Sequence, residues 1–156
     1  MIGLTSALLA LACGDPAQPV RWSASAMTPD TGIDIGAIVP VRLEARSSRG
    51  WYFYSVTQPE GGPIPARIWL PDTAMFTLAG PVRGPAPSRS FDSVFGLVVE
   101  KHSGRSSFTV PVRVEEGAGA GAREIRISAS YQACNDRICL SPRTVTLSVP
   151  LTVRSR

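Results

Sequence analysis

The 156-residue sequence is poor in cysteine and histidine, and each shortage excludes a class of protein. Three cysteines are too few for a small domain held together by many disulfides. His102 is the only histidine, so metal sites built from several histidines are excluded. A Ser-His-Asp hydrolase would depend on this one residue, which we expect to lie in a hairpin turn beside Ser103 and Gly104. No Gly-x-Ser-x-Gly motif accompanies it, which argues further against a hydrolase.

Charge of one sign is not concentrated anywhere in the chain. The formal net charge is +4, from 16 Lys and Arg against 12 Asp and Glu, and Lys101 is the only lysine. The arginines are scattered and form no stripe of the kind that follows a nucleic-acid backbone. We therefore expect a solvated basic surface and no nucleic-acid partner.

Long hydrophobic runs are also missing, since the longest spans residues 2–12 and a membrane helix needs about 20 residues. This length is typical of the apolar part of a secretory signal, and the Ala-Leu-Ala-Cys sequence ending at Cys13 resembles a lipoprotein lipobox. We interpret residues 1–13 as a signal peptide with lipid attachment at Cys13, and residues 14–19 as a tether. No Lys or Arg precedes the run, and Ala10 replaces a larger aliphatic residue. An ordinary cleaved signal and a buried N-terminal segment therefore stay open.

From Val20 onward, apolar and polar residues alternate with the period of two that is typical of β-strands. Glycine and proline, 14 of each, interrupt the chain throughout and argue against a helical protein. Many short strands with one apolar face each predict an all-β protein, an antiparallel β-sandwich over residues 20–156. The predicted strands are 21–27, 37–46, 51–57, 67–70, 75–78, 95–101, 108–114, 125–131 and 145–153.

Two kinds of residue refine this prediction. Pro111 and Pro150 lie inside strand patterns and should occupy edge strands or bulges, because proline donates no hydrogen bond to a ladder. The Gly-Ala repeat at residues 117–122 is expected to be a flexible hairpin loop.

Cys134 and Cys139 flank an Asn-Asp turn signal between two predicted strands. Opposed positions across a hairpin lie about 4.5–5.5 Å apart, which is within disulfide range. A six-residue loop makes such a bond worth roughly 2 kcal/mol, and nearby Arg137 and Arg143 would stabilise a thiolate. These two cysteines and a distant His102 do not complete a zinc site. The spacing alone leaves a structural disulfide and a redox pair equally open.

The segment at residues 131–142, Tyr-Gln-Ala-Cys-Asn-Asp-Arg-Ile-Cys-Leu-Ser-Pro, resembles the active-site hairpin of one known family. That family is the N-terminal periplasmic domain of the thiol:disulfide interchange protein DsbD. Residues 50–55, 61–68, 91–96 and 108–112 resemble further segments of it in the same order. The similarity extends over roughly residues 20–154.

The resemblance implies an immunoglobulin-like sandwich without a cofactor or metal, in which Cys134 and Cys139 are the catalytic redox pair. Cys139 would form mixed disulfides with partners, and Cys134 would resolve them. Phe95 is the best match for an aromatic cap over the pair, with Phe91 second and Asp92 as the cap acid. The residues expected to line the site are Tyr52, Tyr54 and Tyr131. Tyr52 departs from the family, which usually has histidine there.

The implied function is an exported, monomeric thiol:disulfide exchange protein, in the periplasm or on the outer side of the cytoplasmic membrane. It would pass reducing equivalents from a membrane-linked thioredoxin-like donor to disulfide isomerases or cytochrome-maturation proteins. The sequence lacks the membrane helices and thioredoxin domain of the full reductase, so the donor is expected to be another protein. The alternatives are a binding or scaffold lipoprotein with a structural disulfide, and a lipoprotein whose arginines bind an acidic polymer.

Overall fold

The computed structural model describes residues 18–28 and 32–154. Cys13, the interpreted signal peptide and most of the interpreted tether lie outside these residues. In the described ranges the chain forms eleven strands, and its only helical segment is a 3-10 turn at Glu116–Ala118. Within the described residues, no helix has the length and hydrophobicity required to cross a bilayer.

The strands follow the alternating pattern of the sequence closely, although several are shorter than predicted. Their bounds are β1 Val20–Ala26, β2 Ile38–Ser47, β3 Tyr52–Tyr54, β4 Arg67–Trp69, β5 Phe76–Leu78, β6 Ser88–Asp92, β7 Leu97–Ser103, β8 Arg105–Val114, β9 Gly121–Tyr131, β10 Ala133–Cys134 and β11 Arg143–Val153.

The strands form three antiparallel sheets around one core. Sheet A has the order β1-β2-β8-β5, sheet B has the order β11-β9-β4, and sheet C has the order β10-β3-β7-β6. Only Gln132 separates β9 from β10, so sheets B and C continue into each other along one side of the sandwich. Buried side chains from all three sheets meet in a single cluster, as the sandwich prediction requires.

Aromatic side chains occupy the centre of this core. The Trp22 ring lies 5.3 Å from that of Phe53, 6.1 Å from that of Phe108 and 5.6 Å from that of Tyr131. The Tyr131 hydroxyl donates a hydrogen bond to the Val20 carbonyl at 3.1 Å, which ties β9 to β1 across the sandwich. Tilted and stacked ring contacts of this kind add to the stabilisation that burial provides.

Three local predictions were wrong. His102 lies inside β7 and is buried rather than in a turn. Residues 117–122 do not join a hairpin, because β8 belongs to sheet A and β9 to sheet B. Pro111 lies in β8, an interior strand of sheet A, directly opposite Pro40 of β2. Neither proline has an N–H, so this position in the ladder needs no hydrogen bond between them. Pro150 lies on edge strand β11, as predicted.

Candidate redox site

The cysteine hairpin is held by its own turn. The Asn135 N–H donates to the Ile138 carbonyl at 2.9 Å, and the Asn135 Oδ1 accepts the N–H groups of Arg137 and Ile138, both at 2.9 Å. Side-chain bonding of this kind is the reason that Asn favours turns. Beyond the turn, Cys134 and Cys139 face each other in an antiparallel bridge and form a disulfide, with Cα atoms 4.1 Å apart.

The two sulfur-bearing residues differ sharply in exposure. Cys134 is fully buried at 0% exposure, whereas Cys139 is exposed. Because exchange requires direct attack of a thiolate on a disulfide sulfur, access decides which sulfur reacts. The exposed Cys139 is therefore the better candidate for attack by a partner thiolate than the buried Cys134.

Cys134 lies on the outer face of sheet C, away from the main core. It pairs with Tyr52 of β3, and Tyr54 pairs with Lys101 of β7, so all four side chains share that face. Cys134 belongs to a separate small cluster of buried residues, in which Tyr54 and Val99 are the other members. Tyr52 and Leu97 are half-buried against this cluster, which we name the disulfide cluster.

Two tyrosines pack in the cluster that contains the buried Cys134, and the only lysine lies over one of their rings. The Tyr52 and Tyr54 rings meet edge to face at 5.7 Å, and the Lys101 Nζ lies 4.4 Å from the centroid of the Tyr52 ring. The Tyr52 hydroxyl donates to the Asn135 carbonyl at 3.4 Å, which links β3 to the cysteine turn. Burial raises the pKa of Tyr54, and the neighbouring Tyr52 and Asp92 raise it further.

The segment predicted to be a cap forms the tip of the β6–β7 hairpin. The Asp92 carboxylate accepts the N–H groups of Val94 at 2.9 Å and Phe95 at 3.4 Å, and Gly96 turns the chain with a positive φ of 67°. Asp92 pairs with Leu97, which places it on the disulfide face of sheet C. Phe95 is 41% exposed at this tip, so a large aromatic side chain remains accessible there.

Two predicted site residues lie elsewhere. Phe91 is 68% exposed and pairs with Val98, on the face of β6 opposite to Asp92. Tyr131 is buried in the main core, where it contacts Trp22 and Phe53. It fixes the strand that leads into the cysteine hairpin rather than lining the disulfide cluster.

Sequence reasoning did not identify Leu97 and Val99 as neighbours of the disulfide. Their alternation along the predicted strand at 95–101 was a signal that they share a face. Which face that is depends on the pairing of β7 with β3, and residue spacing does not specify this pairing.

The described residues hold no cluster of three or more His, Cys, Asp or Glu side chains that could bind a metal. His102 is buried on the core face of β7 between Phe53 and Phe108, and its Nε2 lies 3.2 Å from the Ser55 hydroxyl. Burial lowers the pKa of His102, which favours the neutral imidazole.

Comparison with known proteins identifies one family. The family model of the thiol:disulfide interchange protein DsbD, N-terminal, matches residues 22–151. No curated protein sequence matches the chain. The solved N-terminal domain of Neisseria meningitidis DsbD, in its reduced form, has a TM-score of 0.55 at 14% identity, over 90% of this chain and 91% of that one. The N-terminal periplasmic domain of Proteus mirabilis ScsB has a TM-score of 0.49 at 17% identity, over 90% of this chain and 49% of that one.

The family match includes both cysteines of the hairpin and nearly all of the sandwich. The Neisseria structure has the same fold, which confirms the predicted immunoglobulin-like antiparallel β-sandwich. The chain therefore belongs to the DsbD N-terminal family and is a thiol:disulfide interchange domain that carries the Cys134–Cys139 disulfide.

Proposed function

We propose that this domain carries electrons in the periplasm, from a membrane-linked thioredoxin-like donor to oxidised thiol–disulfide partners. The observation that supports this most directly is the asymmetry of the disulfide, with Cys139 exposed and Cys134 buried. A purely structural bond needs neither an accessible sulfur nor a protected one. The match to the DsbD N-terminal family supports the proposed compartment.

The exchange proceeds in two reversible displacements. A donor thiolate attacks the Cys139 sulfur, the bond to Cys134 breaks, and Cys134 leaves as a thiolate that takes a proton from solvent. A second donor thiolate then attacks the donor sulfur of the mixed disulfide. The donor leaves as its own disulfide, and Cys139 is released as a thiol. The same steps in reverse reduce an acceptor, so two electrons move in each cycle and no cofactor takes part.

The β6–β7 tip is proposed to limit access to the disulfide between encounters with partners. The Asp92 carboxylate orders the tip through the N–H groups of Val94 and Phe95. Phe95 is the proposed cap, because its partial exposure allows a docking partner to displace it. Phe91 and Val94 are more exposed and would contact the partner that opens the cap.

Residues 1–13 remain a proposed signal peptide, with Cys13 as the site of lipid attachment, and residues 20–156 remain the proposed domain. An extended tether of residues 14–19 would reach roughly 20 Å, at about 3.3–3.6 Å per residue. That reach would hold the sandwich close to the membrane surface and to a membrane-linked donor. Metabolic labelling with a fatty acid, compared between the wild type and Cys13→Ala, tests this part of the proposal.

Trapping of mixed disulfides tests the electron-carrier proposal. The Cys134→Ala variant keeps the exposed Cys139 and removes the resolving thiol. We expect it to form a stable mixed disulfide with a thioredoxin-fold test protein whose single active-site cysteine has been activated as an aromatic disulfide. Both variants are made in a Cys13→Ala background, so that the matched Cys139→Ala variant keeps only the buried Cys134 and should form this product much more slowly. Equal trapping by both variants would contradict the assigned roles.

A further inference from the structure

A cleft of about 280 Å³ lies beside the disulfide hairpin, and neither the exchange steps nor the proposed cap uses it. We propose that this cleft binds a carboxylate that lies next to the reactive cysteine of the partner. The domain would therefore react faster with thiols that carry a carboxylate. The inference rests on the proposed electron-carrier function, because it names the chemistry of the partner. We call it the arginine cleft, and its lining residues are Arg49, Gly50, Trp51, Asn135, Asp136 and Arg137.

Both walls of the arginine cleft are tight turns. On one wall the Trp51 N–H donates to the Ser48 carbonyl at 2.9 Å, and Gly50 has a positive φ of 80° that other residues rarely adopt. The other wall is the Asn135 turn of the cysteine hairpin. The Tyr52 hydroxyl reaches the Asn135 carbonyl and joins the two walls. The cleft is therefore built by backbone geometry and does not require the arginines to be ordered first.

The charges in the arginine cleft favour an anion. Four arginines in the described parts of the chain form ion pairs with Glu or Asp, and neither Arg49 nor Arg137 is among them. Asp136 is the only acidic lining residue, which leaves the cleft with a net charge of +1. Guanidinium groups bind carboxylates with paired, charge-assisted hydrogen bonds. The half-buried Trp51 adds an apolar side chain to the lining of the cleft.

The position of the arginine cleft connects it with the exchange reaction. Arg137 is two residues from Cys139, and both belong to the same short hairpin. In a mixed disulfide the partner sulfur lies about 2.05 Å from the Cys139 sulfur. Residues that flank the partner cysteine must therefore lie close to this hairpin. A carboxylate among them would therefore lie near Arg137 and the cleft that it lines.

Small thiols of different charge test the proposal on the oxidised full chain. The rate of reduction of the Cys134–Cys139 disulfide is measured with 3-mercaptopropionate, 2-mercaptoethanol and cysteamine at low ionic strength, and each rate is corrected for the thiolate fraction. The neutral thiol reports any general change in the hairpin. The key quantity is the ratio of the anionic rate to the neutral rate.

The ratio should fall when an arginine of the cleft is neutralised and rise when Asp136 is neutralised. For charges about 6 Å apart in water, Coulomb's law gives roughly a threefold decrease for Arg49→Gln or Arg137→Gln. Asp136→Asn should raise the ratio by a similar factor. Arg126→Gln, which removes an exposed arginine of β9, is the matched control and should leave the ratio unchanged. The effects should decline at about 1 M salt, where the Debye length is near 3 Å.

The outcomes separate the two proposals. If all three thiols reduce the disulfide but the ratio is the same in Arg137→Gln as in the wild type, the arginine cleft proposal is overturned and the electron-carrier function stands. An equal change in Arg126→Gln also overturns it, because the effect would then come from net charge. If no thiol reduces the disulfide while the domain is folded, the electron-carrier function itself fails.

Discussion

The two faces of sheet C differ in what they bury, although they are built from the same strands. On one face, Phe53 and His102 join the main core, which includes buried residues from all three sheets. On the other face, alternate residues of β3 and β7 surround Cys134, and only Tyr54 and Val99 are buried with it. Because successive side chains of a β-strand point to opposite faces, one residue packs in the core and the next lies on the face of the disulfide.

This difference has a physical consequence. The core face excludes water over a large apolar area, so it supplies most of the free energy of folding. The disulfide cluster is small and lies next to the exposed Cys139, so we expect the disulfide to change redox state without unfolding of the sandwich. The following predictions test this separation, in order of decreasing effect on the free energy of unfolding.

Phe53→Ala should have the largest effect. Phe53 is fully buried beside Trp22, and removing such a side chain from a core costs about 3–5 kcal/mol. Urea denaturation of the oxidised protein measures this loss. The exchange rate per folded molecule should stay close to that of the wild type. A loss of free energy below about 1 kcal/mol would show that the core face does not carry the stability.

Cys139→Ser should have a smaller effect on stability but abolish exchange. Opening a six-residue loop costs roughly 2 kcal/mol in the loop-entropy treatment. The same denaturation experiment measures the loss, and an exchange assay with a thioredoxin-fold protein measures activity. Reduced wild-type protein is the control, since it has lost the same bond. If the variant retained exchange, or if it unfolded, the two faces would not be separable.

His102, which lies on the core face, should make the free energy of unfolding depend on pH. Burial lowers its pKa in the folded state, so the unfolded chain binds an extra proton below its ordinary pKa of about 6.5. The free energy of unfolding should therefore fall as the pH falls from about 7.5 to 5.5, by at most about 1.4 kcal/mol per pH unit.

His102→Gln keeps a polar partner for Ser55 and removes the titration, so it is the matched control. It should flatten the pH dependence of unfolding in this window. A slope that persists in this variant would assign the effect to another group.

Lys101→Met should have the smallest effect. It removes the ammonium group from above the Tyr52 ring, and cation–π contacts at exposed sites are worth about 0.5–1 kcal/mol. Lys101→Arg, which keeps the charge, should remain close to the wild type in the same denaturation experiment. A loss of free energy of unfolding as large as that of Phe53→Ala would mean that the disulfide face stabilises the fold as much as the core face does.

The alternating residues made the fold predictable in part. The rows of apolar residues in β8, β9 and β11 identified long strands with one buried face each. The spacing of the cysteines placed Cys134 opposite Cys139. Strand β6 was not predicted, because its residues are almost all exposed and show no apolar row. Its central sequence, Arg89 to Phe91, gains a strand conformation only by pairing with β7.

The site was less predictable than the fold. The resemblance to a family supplied the redox pair and the cap segment, but the neighbours of Cys134 depend on how β3, β7 and β10 pair. Tyr131 shows the limit of motif reading, because it belongs to the cysteine motif in sequence and to the main core in space. His102 shows the converse, because its sequence neighbours indicate a turn, whereas in the structure it is buried within strand β7.

The reduction potential of the Cys134–Cys139 pair tests the central claim most directly. The oxidised domain is equilibrated with glutathione and with dithiothreitol buffers, and the fraction of free thiols is measured in folded protein. An electron carrier should have a potential of roughly −200 to −270 mV, among the known exchange proteins. A value well below about −300 mV, with a bond that is reduced only when the domain unfolds, would make the disulfide structural and contradict the proposed function.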